Sequence, residues 1–151
     1  MQAFLRWWLM VCLMAFGTYG LYQFGQLQYI FDADQSGISV LIFGIFGMVT
    51  SWIGWLTWKA NKGTQPTDTQ IDDAYFVADA MTALGLIGTI VGLIMILGPA
   101  FENIDVSDTA TIEAAIKLMT QGMGTALVTT LVGSCCSLIS KLQIHNFYGK
   151  A

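Results

Sequence analysis

Four long segments of this chain contain no Asp, Glu, Lys or Arg, and each is long enough to cross a bilayer. They are Trp7–Phe31, Gln35–Trp58, Ala80–Phe101 and Leu118–Ser140. About 20 apolar residues in a helix span the hydrocarbon core, where backbone groups must be satisfied within the segment. The whole chain is 55% hydrophobic and only 11% charged. We therefore predict an all-α integral membrane protein with four transmembrane helices, forming one membrane domain over residues 1–151, without a nucleic-acid surface.

The distribution of charge predicts the orientation of these spans. Alternating spans place both termini and the 59–79 loop on one side, and the 102–117 loop on the other. The first side holds Arg6, Lys59, Lys62, Lys141 and Lys150, whereas the second holds Lys117 with Asp32, Asp34, Glu102, Asp105, Asp108 and Glu113. Because basic residues concentrate on the cytoplasmic side of membrane proteins, the N- and C-termini are predicted to be cytoplasmic.

Turn-forming and capping residues predict where the outer connection begins and ends. Gly98–Pro99 should end or kink the third span, since proline removes a helical hydrogen bond. Asp108 or Thr109 is suited to cap a short outer helix that leads into the last span. On the cytoplasmic side, the polar stretch from Lys59 to Asp79 contains Gly63 and Pro66 and is predicted to be a loop or partly disordered.

Small residues follow one stripe on each of the last two spans. The predicted packing residues are Gly85, Gly88, Gly92, Gly122, Ala126, Gly133 and Ser137. Such stripes let membrane helices approach closely. Hydroxyl groups lie among them at Thr89, Thr129 and Thr130. These threonines would suit a pore wall, but spacing alone favours the alternative that each hydroxyl bonds a carbonyl of its own helix.

The remaining polar residues predict no chemistry. The chain has no recognisable catalytic triad, phosphate-binding loop or metal-ligand spacing, so we expect no enzyme activity, metal or cofactor. Its three cysteines lie in apolar runs and are interpreted as small hydrophobic residues. Asp79 is either a charge at a pore mouth or an acid favoured by a helix N-terminus. Lys141 is expected to extend towards the lipid headgroups.

Two sequence elements carry a resemblance to a known family. They are "LGLIGTIVGL" at 84–93 and "GMGTALVTTLVGSCCSLISKLQIHNFY" at 122–148. In this order they resemble the last two membrane helices of the MotA/TolQ/ExbB proton-channel family. A preceding hairpin with both termini inside is similar to the four-span MotA branch. On this resemblance, Thr89 and Thr130 match the pore threonines of the family, and Thr129 adds a neighbouring hydroxyl.

The resemblance implies partners and a location. It implies a homo-pentameric ring around two copies of a single-span MotB/ExbD/TolR-like subunit, whose membrane Asp carries the ion. The ion would be H⁺ or Na⁺, and the location would be the bacterial inner membrane. The chain departs from the family at Thr125, where ExbB and TolQ carry an acid, and at Ile139, where those branches carry proline. The 59–79 loop is also too short for the large cytoplasmic domain of MotA.

Two classes of function follow from the sequence. The first is the pore-ring subunit of an ion-driven membrane motor or stator, which needs a partner with a membrane acid. The second is a self-contained membrane pore or scaffold, such as a phage-encoded membrane protein, with no ion-driven partner. Because the four predicted spans contain no acid, a proton path would need a titratable group from elsewhere, which favours the first class.

Overall fold

The structure is a computed structural model that describes residues 2–23, 25, 37–63, 67–102 and 108–148. These residues form helices and no strands. In chain order the helices are α1 (Gln2–Gln23), α2 (Ile38–Asn61), α3 (Asp68–Glu102) and α4 (Thr109–Tyr148). The prediction of an all-helical protein is confirmed for the described part of the chain.

Within the described residues, three helices are long and apolar enough to cross a membrane: Ile38–Asn61, Asp68–Glu102 and Thr109–Asn146. At 1.5 Å per residue, α3 is about 50 Å long and α4 about 60 Å, well beyond a hydrocarbon core of about 30 Å. Both helices are therefore longer than the hydrocarbon core is thick. The first helix contributes the shorter apolar run Trp7–Gly20. The predicted span Trp7–Phe31 also includes residues 24 and 26–31, which lie outside the described residues.

The prediction of a loop over residues 59–79 is wrong, because helices occupy most of it. α2 continues to Asn61, where the N–H of Gly63 donates to Ala60 O at 3.0 Å and Gly63 takes a positive φ of 91°. This is a common glycine ending of a helix. α3 begins at Asp68, and the N–H of Thr67 donates to Gln70 Oε1 at 3.4 Å. This T-x-x-Q capping arrangement stabilises a helix start in a polar segment.

The outer connection is also shorter than predicted. Asp108 caps α4 as expected, since its Oδ1 accepts a hydrogen bond from the N–H of Ala110 at 3.0 Å. However, α4 runs without a break from Thr109 to Tyr148, so a separate short outer helix is not formed. Nor does α3 end at Gly98–Pro99, because it continues to Glu102. Pro99 therefore stands inside the helix, where it has no N–H to donate to the carbonyl of Met95.

The helices pack as a layer of α3 and α4, covered on one side by α2. One cluster of buried side chains joins these three helices and contains Ile42, Ala78, Met81, Val132 and Cys136. A second cluster lies nearer the end of α4 and contains Val49, Ile53, Ala74 and Ile144. α1 adds to this end through Trp7, whose ring contacts the position where Gly54 lacks a side chain. The sequence analysis did not identify Gly54.

Candidate functional site in the α3–α4 seam

Two glycines bring α3 and α4 into backbone contact. A Cβ added to Gly133 would lie 2.7 Å from Met81 O and 2.9 Å from Gly85 Cα. In the reverse direction, a Cβ on Gly85 would lie 3.1 Å from Thr129 O. Gly133 has no space for a side chain, and at Gly85 even a methyl group would be tight. The close approach brings the carbonyl and hydroxyl groups of the two helices within hydrogen-bonding distance.

The hydroxyls of Thr89 and Thr130 meet directly across this contact. Thr89 Oγ1 also lies 3.0 Å from Gly85 O of its own helix and 3.3 Å from Ala126 O of α4. Thr130 Oγ1 lies 3.3 Å from Ala126 O of its own helix and 3.4 Å from Gly85 O of α3. The two hydroxyls thus share two carbonyl acceptors, one from each helix. The bond to a carbonyl of the same helix, which spacing favours, is present for both hydroxyls, and a contact between the two helices accompanies it.

This arrangement leaves each hydroxyl with unused hydrogen-bonding capacity. A threonine hydroxyl has one hydrogen to donate and two lone pairs that accept. Each hydroxyl here has a choice between two carbonyls, so its hydrogen can turn without losing every acceptor. Thr89 and Thr130 are both only partly buried in the subunit, which leaves them accessible to a polar group at the surface.

Thr129 occupies a different position. Its side chain is 0% exposed, and its hydroxyl donates to Ala126 O at 2.9 Å. Its Cβ lies 3.0 Å from where a Cβ on Gly88 would be, and Ile38 of α2 approaches the same point at 3.3 Å. Thr129 therefore faces the interior of the subunit, towards α2. Thr129 therefore packs between helices, and Thr89 and Thr130 are the candidates for a contact with the pore.

The predicted packing stripe lies inside the subunit. Its seven members are all buried: Gly85, Gly88, Gly92, Gly122, Ala126, Gly133 and Ser137. Gly122 faces the side chain of Ile96, which fills the space where a Cβ would be. Gly85, Gly88, Gly122 and Gly133 each approach another helix of the same chain.

Asp79 and Lys141 form an ion pair between the same two helices. Asp79 Oδ1 lies 2.6 Å from Lys141 Nζ, and the side chains are 64% and 39% exposed. Asp79 stands inside α3, which begins at Asp68, so the helix N-terminus does not explain it. Lys141 pairs with an acid instead of only extending towards headgroups. Sequence reasoning named both residues but missed their pairing, which depends on the register of α3 against α4.

The hydroxyl pair and the ion pair lie on one line, which we call the α3–α4 seam. Asp79 and Lys141 are about 15 Å along the helix axes from Thr89 and Thr130, at 1.5 Å per residue. With 3.6 residues per turn, Lys141 points within about 20° of the direction of Thr130. The side chains bordering the seam are exposed, with Leu127 at 67% and Leu86 at 54%. The seam is thus open on the side of the layer away from α2.

Comparison with known families gives the decisive observation. The family model described as "MotA/TolQ/ExbB proton channel family" matches residues 56–151. The chain belongs to this family. The match contains all of α3 and α4, and therefore the whole seam, together with the end of α2. The chain has no significant match among curated proteins or among solved structures.

Membership in the MotA/TolQ/ExbB family confirms the resemblance seen in the sequence. It supports a membrane protein with a proton-channel, stator-like function, in agreement with the three helices that are able to span a membrane.

Proposed function

We propose that this protein is the pore-ring subunit of a proton-driven motor or stator in the bacterial inner membrane. Five copies surround two copies of a single-span MotB/ExbD/TolR-like subunit, and ion flux moves the ring relative to this partner. The α3–α4 seam faces the central pore, whereas α1 and α2 face lipid. Family membership and the position of α2 on the opposite side of the α3–α4 layer support this arrangement.

The observation that carries the proposal is the contact between Thr89 and Thr130 on the open seam. A carboxylate inside a membrane is costly unless it is paired or hydrogen-bonded. A hydroxyl can donate to the ionised carboxylate of the partner's Asp and accept from its neutral form. It serves both states without locking either, whereas a lysine or arginine would hold the carboxylate ionised.

Proton transfer then changes which subunit the partner prefers. When the Asp is ionised, it is held by the hydroxyls of the nearest subunit. When it takes up a proton, the hydrogen bond weakens, since bonds to charged groups are about twice as strong as bonds to neutral groups. The Asp is released to the hydroxyls of the next subunit. Asp79 lies at the cytoplasmic mouth of this path. H⁺ is the ion that this chemistry favours over Na⁺.

The assembly is tested by purifying the ring from its native membrane and weighing it by native mass spectrometry. We expect five copies of this chain with two copies of one single-span protein, whose membrane helix contains a single Asp. A closed ring that contains this chain alone, and that conducts protons after reconstitution, would instead support the self-contained pore.

The proposed topology, with cytoplasmic termini, gives a separate prediction. Two exposed residues near opposite membrane faces are Thr69 at the start of α3 and Glu113 in the first turns of α4. In a chain whose native cysteines are changed to alanine, we expect an impermeant maleimide to label Glu113→Cys in spheroplasts and to leave Thr69→Cys unlabelled. Permeabilised cells serve as the control, because there both sites should react. Labelling of Thr69→Cys in intact spheroplasts would show that the topology is the reverse of the one proposed.

A further inference from the structure

The ion pair at the end of the α3–α4 seam lies where ions would enter or leave. Asp79 and Lys141 are both partly exposed, and their charged atoms are 2.6 Å apart. An exposed pair of this kind adds little to stability, with a typical contribution of about 0–1 kcal/mol. Holding α3 and α4 together does not require it either, because Gly85 and Gly133 already bring the helices into contact. The pair therefore needs an explanation other than stability.

Its position gives that explanation. Lys141 points almost in the direction of Thr130, about three helical turns away, so a pore lined by the hydroxyls is also lined by the ion pair. The other described lysines of this end are Lys59, in the last turn of α2, and Lys62, just after α2. They lie over the rings of Trp55 and Trp58, at 5.2 Å and 3.7 Å from the ring centroids. Of the lysines that the structure describes at this end, Lys141 is therefore the one that lies in the seam.

We propose that Lys141 is the counter-ion that neutralises Asp79 at the mouth of the α3–α4 seam, so that the pair controls how strongly the pore attracts small cations. This inference rests on the proposed function. In a ring, every subunit would present one such pair. With the pairs intact, Asp79 and Lys141 add no net charge to the mouth. The mouth then does not concentrate cations from solution, and only the ion bound by the partner's Asp passes.

Loss of one member has an effect that depends on which member is lost. Without Lys141, each subunit presents an uncompensated carboxylate, and a narrow mouth lined by one sign of charge concentrates the opposite ion. Without Asp79, each subunit presents an uncompensated ammonium, which repels cations. Asp72 and His145 are also exposed and lie further towards the helix ends. They are present in every variant, so their contribution to the potential at the mouth does not change. A bridge with a purely structural role would weaken ring assembly on either loss, whereas the effect of charge has opposite signs in the two variants.

The test measures the electrostatic potential at Ser134, an exposed residue of α4 between Thr130 and Lys141. Ser134→Cys is introduced into a chain whose native cysteines are changed to alanine. Membrane vesicles containing the ring are treated with a cationic or an anionic methanethiosulfonate of similar size. The ratio of the two reaction rates reports the local potential. Thr69→Cys, outside the seam, gives the reference ratio in each background.

We expect Lys141→Gln to raise the cation-to-anion ratio at Ser134→Cys by about threefold to tenfold, and Asp79→Asn to lower it by a similar factor. The exchange of both residues, Asp79→Lys with Lys141→Asp, should restore the original ratio. Equal or unidirectional changes in the two single variants would overturn the role of the pair while leaving the pore intact. If Ser134→Cys reacted with neither reagent, the seam would not face water, and the proposed function would fail with this inference.

Discussion

Changing Thr89 and Thr130 together to valine is expected to lower proton flux through the partner-loaded ring by about tenfold to a hundredfold. Valine keeps the shape of threonine but removes the hydroxyl, so the partner's ionised Asp loses its hydrogen-bond donors. Hydrogen bonds to charged groups contribute about 1.5–3 kcal/mol, and each 1.4 kcal/mol changes a rate about tenfold. Flux is measured in proteoliposomes with a potassium diffusion potential and a pH-sensitive dye inside.

The matched control is Thr120→Val. Thr120 lies on the same helix as Thr130 and also donates to the carbonyl one turn earlier, at 2.9 Å from Ile116 O, but it is exposed and away from the hydroxyl pair. This control should keep full flux. The double variant should still purify as a ring, because each valine fills the space of the threonine that it replaces. Full flux in the double variant would show that the two hydroxyls only pack or bond their own helices.

Replacing Gly133 by leucine should abolish assembly. Even a Cβ at this position would lie 2.7 Å from Met81 O and 2.9 Å from Gly85 Cα. These neighbours are backbone atoms, which cannot turn away as a side chain does, so the two helices would have to separate. Overpacking of this kind destabilises by about 1–3 kcal/mol or more, and separation would also break the contact between Thr89 and Thr130. Size-exclusion chromatography in detergent should show little or no ring.

Gly47→Leu is the control for this substitution. Gly47 lies in the middle of α2, is exposed, and has no atom within 4 Å of an added Cβ. The variant should assemble and elute as the unchanged protein does. If Gly133→Leu assembled equally well, α3 and α4 would not approach each other as closely as the structure has them.

The sequence predicted the helical membrane class but not the helix ends. A stretch without charged residues indicates the part of a helix that lies in lipid. α3 is longer than this stretch, because it also includes polar residues before it. The T-x-x-Q cap at Thr67 and Gln70 is a local signal that predicts this start, and the sequence analysis overlooked it. α4 continues across the predicted outer loop because Asp108 caps it at that point. Capping therefore sets the ends of these helices more than hydropathy does.

The site could be predicted in part. Resemblance selected Thr89 and Thr130, and the small residues around them are typical of a close helix contact. Spacing alone does not separate Thr130 from Thr129, because adjacent residues differ by about 100° around a helix and only packing decides which one is buried. The pairing of Asp79 with Lys141 likewise depends on the register of α3 against α4, which no local pattern specifies. The contact of Trp7 with Gly54 could not be predicted for the same reason, because it depends on how α1 packs against α2.

Photocrosslinking tests whether the α3–α4 seam faces the single-span partner. A benzophenone amino acid is placed at Leu127, which is 67% exposed beside the seam, or at Leu41, which is 53% exposed on α2. After irradiation of native membranes, we expect the single-span protein with the membrane Asp to be captured from position 127 and not from position 41. Capture from position 41 alone would place α2 at the pore and contradict the account.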